Sequence, residues 1–213
     1  MSFDAIAPWY RTLETIAFGN DLQRARIAWL GEIVTPRRAL IIGEGNGRFL
    51  CELVHAYPTI EVDCVDASGR MLELARRRVE RRLAADTSRV RFLHRDIALW
   101  VPEFRYDLIV THFFLDCFPA DQIVNVITTL SHSTTADAVW LLADFCIPPS
   151  GLRQWHARLW LAIMYRFFRS AAKIEAGELI DPSPFLRAAG FALTRQHFFQ
   201  QGMLKSELWR RDF

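Results

Sequence analysis

Residues 41–48 read Ile41-Ile42-Gly43-Glu44-Gly45-Asn46-Gly47-Arg48. The apolar run Ala39–Ile42 stops at glycines in alternate positions, and Phe49, Leu50, Leu53 and Val54 then recur at helical spacing. Glycine permits backbone angles closed to other residues and lets a ligand come close to the main chain. The first amides of the following helix offer hydrogen-bond donors. A tight turn with no ligand would use the same residues, so the loop needs company. Asp66 supplies it, at the end of the strand candidate Ile60–Val65. A carboxylate there can accept both ribose hydroxyls of an adenosine group. Asp63 competes for that role but lies inside the strand run rather than at its end. A third acid, Asp96 in His94-Arg95-Asp96-Ile97, follows the next strand candidate, where it could hold an adenine amino group or simply cap a helix.

These residues need a scaffold that brings strand ends together. Strand-like runs at 39–42, 60–65, 90–94, 106–111 and 138–144 alternate with helical stretches at 49–57, 68–83 and 121–132. Alternation implies parallel strands with right-handed crossovers, and near-continuous apolar strands imply a sheet covered on both faces. In the helix from Ser68 to Leu83, Met71, Leu72, Leu74, Ala75 and Val79 form the inner face and five arginines a solvated outer one. Residues 152–169 read as a long aromatic helix carrying Trp155, Trp160 and Tyr165. It is a core helix, a lid over an apolar acceptor, or a helix that touches a membrane surface. A short helix ending at Gly190 and two β-like runs, 191–199 and 203–210, close the chain as an antiparallel hairpin.

Bulk properties narrow the classes. The 213 residues suit a single domain, and 51% hydrophobic with 23% charged residues is the balance of a globular chain. A net charge of +2 argues against a dedicated nucleic-acid binder. No leader or spanning helix is read, so a cytoplasmic enzyme is the expectation, with oligomeric state left open. Cys51, Cys64, Cys117 and Cys146 form no CxxC pair, and no metal site is expected; Cys64 and Cys146 fall in apolar runs that read as buried strands.

The dinucleotide fingerprint G-x-G-x-x-G would need glycine at Arg48. Glycines at 43, 45 and 47 instead resemble the loop of the class I S-adenosylmethionine-dependent methyltransferases. The resemblance extends to Asp66 with the helix carrying Met71, to Arg95-Asp96, to Tyr106–Val110 and to Ala188-Ala189-Gly190-Phe191. Phe3-Asp4-Ala5-Ile6-Ala7-Pro8-Trp9-Tyr10 is similar to the opening of the ubiquinone/menaquinone C-methyltransferase-like branch.

The resemblance implies a Rossmann-like α/β three-layer sandwich. Its seven-stranded, mostly parallel sheet has order 3-2-1-4-5-7-6, the last strand antiparallel, with helices on both faces. Residues 1–35 would be a helical cover, 36–145 the cofactor core, and 146–213 the aromatic helix and hairpin. S-adenosylmethionine would be the cofactor, S-adenosylhomocysteine its product, and an apolar or aromatic small molecule the acceptor. Tyr10 would close over the cofactor. Gly43, Glu44, Gly45, Asn46 and Gly47 would cradle it, with Asp66, Ala67, Met71, Asp96 and Ile97 at the adenosine end. His112 and Phe113 would line the methionine end, and His112 and Asp116 are the nearby candidates for a general base. One departure stands out: the family's usual acid two residues before the first glycine is Ile41 here, and Glu44 is the candidate replacement. A cofactor-binding protein without turnover and an NAD-dependent oxidoreductase are the alternatives.

Overall fold

The computed structural model describes residues 18–83, 87–151, 154–155, 157–161, 166 and 179–212. The elements are α1 (Asp21–Ile27), β1 (Arg38–Ile42), α2 (Arg48–Ala56), β2 (Glu61–Asp66), α3 (Gly69–Leu83), β3 (Val90–His94), β4 (Tyr106–His112), α4 (Ala120–His132), β5 (Thr134–Phe145), α5 (Ser183–Ala188), β6 (Phe191–Phe199) and β7 (Leu204–Arg211). The strands form one sheet in the order β3-β2-β1-β4-β5-β7-β6. Strands β1 to β5 pair in parallel, and β7 runs antiparallel to both β5 and β6. The expected sheet order and strand directions are those observed.

Two cores cover the sheet. On one face Leu40, Ile109, Trp140 and Trp209 pack with Ile123, Ile127 and Leu130 of α4 and Leu186 of α5. On the other, Ile41, Cys64, Val110 and Leu141 pack with Phe49 and Leu53 of α2 and with Leu72 and Val79 of α3. The alternation of β1 and β4 between the two cores is the period-2 side-chain rule acting in a sheet buried on both sides. Ser68 starts α3: its hydroxyl accepts the Met71 amide at 3.1 Å, satisfying one of the donors a helix start leaves open.

Two boundaries differ from the sequence reading. Strand β5 begins at Thr134, four residues before the expected Ala138, because an irregularity between Tyr106 and Leu108 lets Tyr106 pair with Thr134. Thr135 is half-buried and Ala136 and Asp137 are exposed there, so no apolar signal marks the extension. Cys146 lies one residue past β5 and is half-buried rather than inside a strand, its thiol donating to the Gly202 carbonyl at 3.0 Å. The other three cysteines are buried. Most of the expected 152–169 helix lies outside the described residues.

Asp63, the rejected ribose candidate, is 2% exposed. Its carboxylate accepts from Arg91 Nε at 2.5 Å and Nη2 at 2.7 Å, and from the Tyr106 hydroxyl at 2.6 Å. A residue of β2 is thereby tied to β3 on one side and to β4 on the other. Arg91 stays partly in water, so the pair is less costly to desolvate than a fully buried one. Asp63→Ala is expected to destabilise the fold by about 2–4 kcal/mol, since it strands a tyrosine hydroxyl and a guanidinium together. Urea denaturation of the two proteins checks this, and a loss under about 0.5 kcal/mol would refute the bracing role.

Candidate functional site

The carboxyl ends of β1, β2, β3, β4 and β5 converge on one edge of the sheet, as parallel topology requires. Gly43, Gly45 and Gly47 there adopt φ of 68°, 68° and 79°, the left-handed region that favours glycine. Two of them also need the missing side chain. A Cβ on Gly43 would stand 2.5 Å from the Phe114 ring, and one on Gly47 would stand 2.7 Å from the Ala75 Cα in α3. The loop is pinned from outside as well, by the Gly43 amide donating to Val65 O at 2.9 Å and by Arg78 Nε donating to the Asn46 carbonyl at 2.7 Å.

Asp66 and Asp96 meet at a cleft beside this loop. The cleft is partly open to solvent. Ala67 and Ile97 line it with them, and so do Phe114, Cys117, Phe118 and Gln122, which the sequence did not single out. The Asp66 carboxylate accepts the Ser68 amide at 2.8 Å, which fixes its direction at the end of β2. Asp96 accepts the Ala98 amide at 3.0 Å, so it caps a turn and lines the cleft at once. Met71 is buried in the first turn of α3, outside the cleft wall.

Glu44 points into the protein. Its carboxylate accepts the Leu50 amide at 3.0 Å and so caps α2. Burial pushes its pKa up from 4.5 to about 7, against the lowering pull of the Leu50 and Phe49 amides and of Arg26. Ile41 is 1% exposed in the second core, where no acid could be carried without a partner.

His112 is 6% exposed at the end of β4, its ring edge-on to Phe49 with centroids 4.6 Å apart. Its Nδ1 has no hydrogen-bond partner, and burial, with the Arg26 charge second, keeps the imidazole neutral by holding its pKa well below 6.5. Phe113 follows with φ 52°, turning the chain so that its amide still donates to Ala143 O at 2.7 Å. The Arg26 guanidinium sits 5.0 Å from the Phe113 ring centroid. Asp116 is buried in a 3-10 turn, Leu115–Cys117, on the face opposite Phe49. It does not cap α4, whose N-cap residue is Pro119. Tyr10 lies outside the described residues, and among those described no cluster of ligands suits a metal ion.

The folded chain favours the uncharged Glu44 carboxyl. The stability this contributes is full below pH 4.5 and is lost as pH rises through about 7. Thermal melts across that window are expected to show the native protein losing about 1–3 kcal/mol relative to Glu44→Gln. Parallel pH profiles would overturn this view of Glu44.

Residues 40–139 match the family model described as a methyltransferase domain. Over 114 residues the chain is 35% identical to a demethylmenaquinone methyltransferase of Thermus thermophilus, covering 52% of this chain and 50% of that protein. Over 104 residues it is 29% identical to a malonyl-[acyl-carrier protein] O-methyltransferase of Paenibacillus sp., covering 43% of this chain and 37% of that one. The chain thus spans half or less of these curated relatives. Among solved structures, the mitomycin 7-O-methyltransferase MmcR superposes with a TM-score of 0.70 at 19% identity, covering 99% of this chain and 61% of that chain. The N-methyltransferase NodS from Bradyrhizobium japonicum, in complex with S-adenosyl-l-homocysteine, superposes with a TM-score of 0.63 at 15% identity, covering 96% and 88%. At such identities the structures speak for the fold, and the domain match speaks for the family. The glycine loop and the two acids, at the edge of a 3-2-1-4-5-7-6 sheet, lie within the residues 40–139 that match the methyltransferase domain, which supports a class I S-adenosylmethionine-dependent methyltransferase.

Proposed function

We propose that the chain transfers a methyl group from S-adenosylmethionine to an apolar or aromatic small molecule, leaving S-adenosylhomocysteine. The observation that carries this reading is the meeting of Asp66 and Asp96 in one cleft beside a loop of three left-handed glycines. Asp66 would accept the ribose hydroxyls, Asp96 the adenine amino group, and Ile97, Phe114 and Phe118 would sandwich the base. The glycine loop would face the methionine end, with His112 and Phe113 beside it, and Tyr10 would cover the whole. When bound, the sulfonium supplies an electrophilic methyl group and departs as a neutral thioether. The chain's own part is to hold the acceptor in line and exclude water, which supplies most of the rate in a direct displacement. A neutral His112 is suited to accept an acceptor's proton, with Asp116 the second candidate.

The relative named for demethylmenaquinone supports an apolar ring as acceptor. The division into a cover at 1–35, a cofactor core at 36–145 and an acceptor portion at 146–213 belongs to this reading. So does a cytoplasmic setting, supported by four free thiols. No described helix is long and apolar enough to cross a membrane. Binding without turnover is the second reading, favoured by Ile41 in place of an acid and by the engagement of Glu44 with α2.

Titration calorimetry with S-adenosylhomocysteine tests the donor site. Asp66→Ala is expected to weaken binding by about 1–3 kcal/mol, the scale of hydrogen bonds to a charged group. Equal affinity in the two proteins would remove Asp66 from the ribose, and tight binding of NADH instead would replace the cofactor assignment.

A further inference from the structure

Charge is unevenly spread along the chain. Residues 69–105 hold ten arginines and five acids, whereas the whole chain has a net charge of only +2. The remainder is therefore acidic, and the basic excess is gathered on α3, β3 and the loop that follows. Arg70, Arg77 and Arg81 are exposed along the outer row of α3, opposite the buried Leu72, Ala75 and Val79. Glu73 meets Arg77 at 2.7 Å, but both side chains are exposed, and such a pair leaves its charges largely to solvent. Arg81 donates from Nε to the Arg77 carbonyl at 3.1 Å, and Arg95 from Nη1 to the His94 carbonyl at 2.9 Å. A carbonyl cancels neither charge.

The loop after β3 adds an apolar element. Trp100 packs against the core that holds Leu40 and Trp140, and Pro102 is buried, whereas Leu99 and Val101, which alternate with them, are 88% and 71% exposed. Phe104 closes the loop between the Arg38 and Arg91 guanidiniums, 4.0 and 4.7 Å from its ring centroid. The loop is thus anchored on its inner side and holds two aliphatic side chains out in water. It adjoins the basic row. The Arg95 amide donates to Asp66 O at 3.1 Å, the His94 ring would stand 3.5 Å from a Cβ on Gly69, and the Leu99 amide donates to Asp96 O at 3.1 Å. The turn that carries Leu99 therefore starts beside the first turn of α3, at the mouth of the cleft that Arg95 and Ala98 line. Arginines alone would suit any polyanion. Aliphatic side chains held out beside them suit a surface that is anionic outside and apolar within. We propose that the outer row of α3 and the 95–104 loop dock the chain peripherally on an anionic phospholipid bilayer, with the arginines against lipid phosphates and Leu99 and Val101 in the apolar layer beneath. This docking is independent of the methyl-transfer reading.

Co-sedimentation of the full chain with phosphatidylcholine vesicles, and with vesicles of phosphatidylcholine and phosphatidylglycerol in equal parts, tests it. The native protein is expected to bind the mixed vesicles about tenfold more tightly, and to lose most of that preference at about 0.5 M salt, where surface charge is screened. Arg77→Gln with Arg81→Gln should cut binding to the mixed vesicles about tenfold, the scale of two charges near an anionic leaflet. Leu99→Ser with Val101→Ser leaves the net charge unchanged and should cut it several-fold. All four side chains are exposed, so both variants are expected to fold, which thermal melts verify. Equal binding of the native protein to the two kinds of vesicle, or undiminished binding by either folded variant, overturns the proposal. Binding of a single-stranded RNA without binding of the mixed vesicles also overturns it and assigns the basic row to a nucleic acid.

Discussion

The close approach of α3 to the start of α2 is the constraint on which the edge of the sheet depends. Gly47 holds a left-handed φ of 79° with the Ala75 Cα where its own Cβ would go. A side chain there would push two helices of the same core apart, since both pack on β1 and β2 through Phe49, Leu53, Leu72 and Val79. Gly43 sets the matching distance on the opposite side, where the Phe114 ring occupies the space above its Cα. Between these contacts the loop is held in place without regular structure. Its conformation is fixed by what touches it and by the hydrogen bonds to Val65 and Arg78, so backbone amides can be presented without paying ordering entropy when a ligand arrives.

The two edges of the sheet treat charge in opposite ways. Towards the amino edge the buried Asp63 carboxylate is answered by Arg91 and Tyr106, and the Asp107 carboxylate accepts the Arg37 and Arg38 amides at 2.8 and 3.0 Å. At the carboxyl edge the groups are half-buried or buried and incompletely answered. Glu44, His112 and Asp144 are each driven towards the uncharged form, and His112 Nδ1 makes no hydrogen bond. Folding alone would favour the first arrangement everywhere. The second is the pattern expected where a ligand completes the polar contacts, because perturbed ionisation gathers at functional sites.

Legibility in the sequence followed the range of the interactions. The glycine loop, Asp66 and Asp96 could be read because each is defined by neighbours a few residues away: a strand before, a helix after, a turn at the junction. The parallel sheet followed from the alternation of runs, and the place of β7 from family resemblance. The start of β5 was not legible, because Thr134 owes its pairing to a bulge in β4 rather than to its own polarity. Glu44 was visible as an acid in the right loop, yet its direction depends on the Leu50 amide one helical turn on. Asp144 read as the end of an apolar strand. Its partner Asp116 is far along the chain, and no local pattern distinguishes a buried neutral acid from a solvated charged one.

His112 and Asp144 extend the carboxyl edge beyond the cleft lined by Asp66 and Asp96. They end adjacent strands, with His112 in register with Ala143, so Asp144 stands one residue beyond it. Side chains of paired strands alternate between faces. His112 therefore packs with Phe49 on the α2 side, whereas Asp144 sits near Asp116 on the α4 side. A ligand lying across the strand ends could meet a neutral imidazole on one face and a neutral acid on the other. The aromatic residue after each, Phe113 and Phe145, closes the gap between them with ring centroids 5.2 Å apart. A lone base needs only one such group. The paired arrangement arises here from nothing more than the register of β4 on β5.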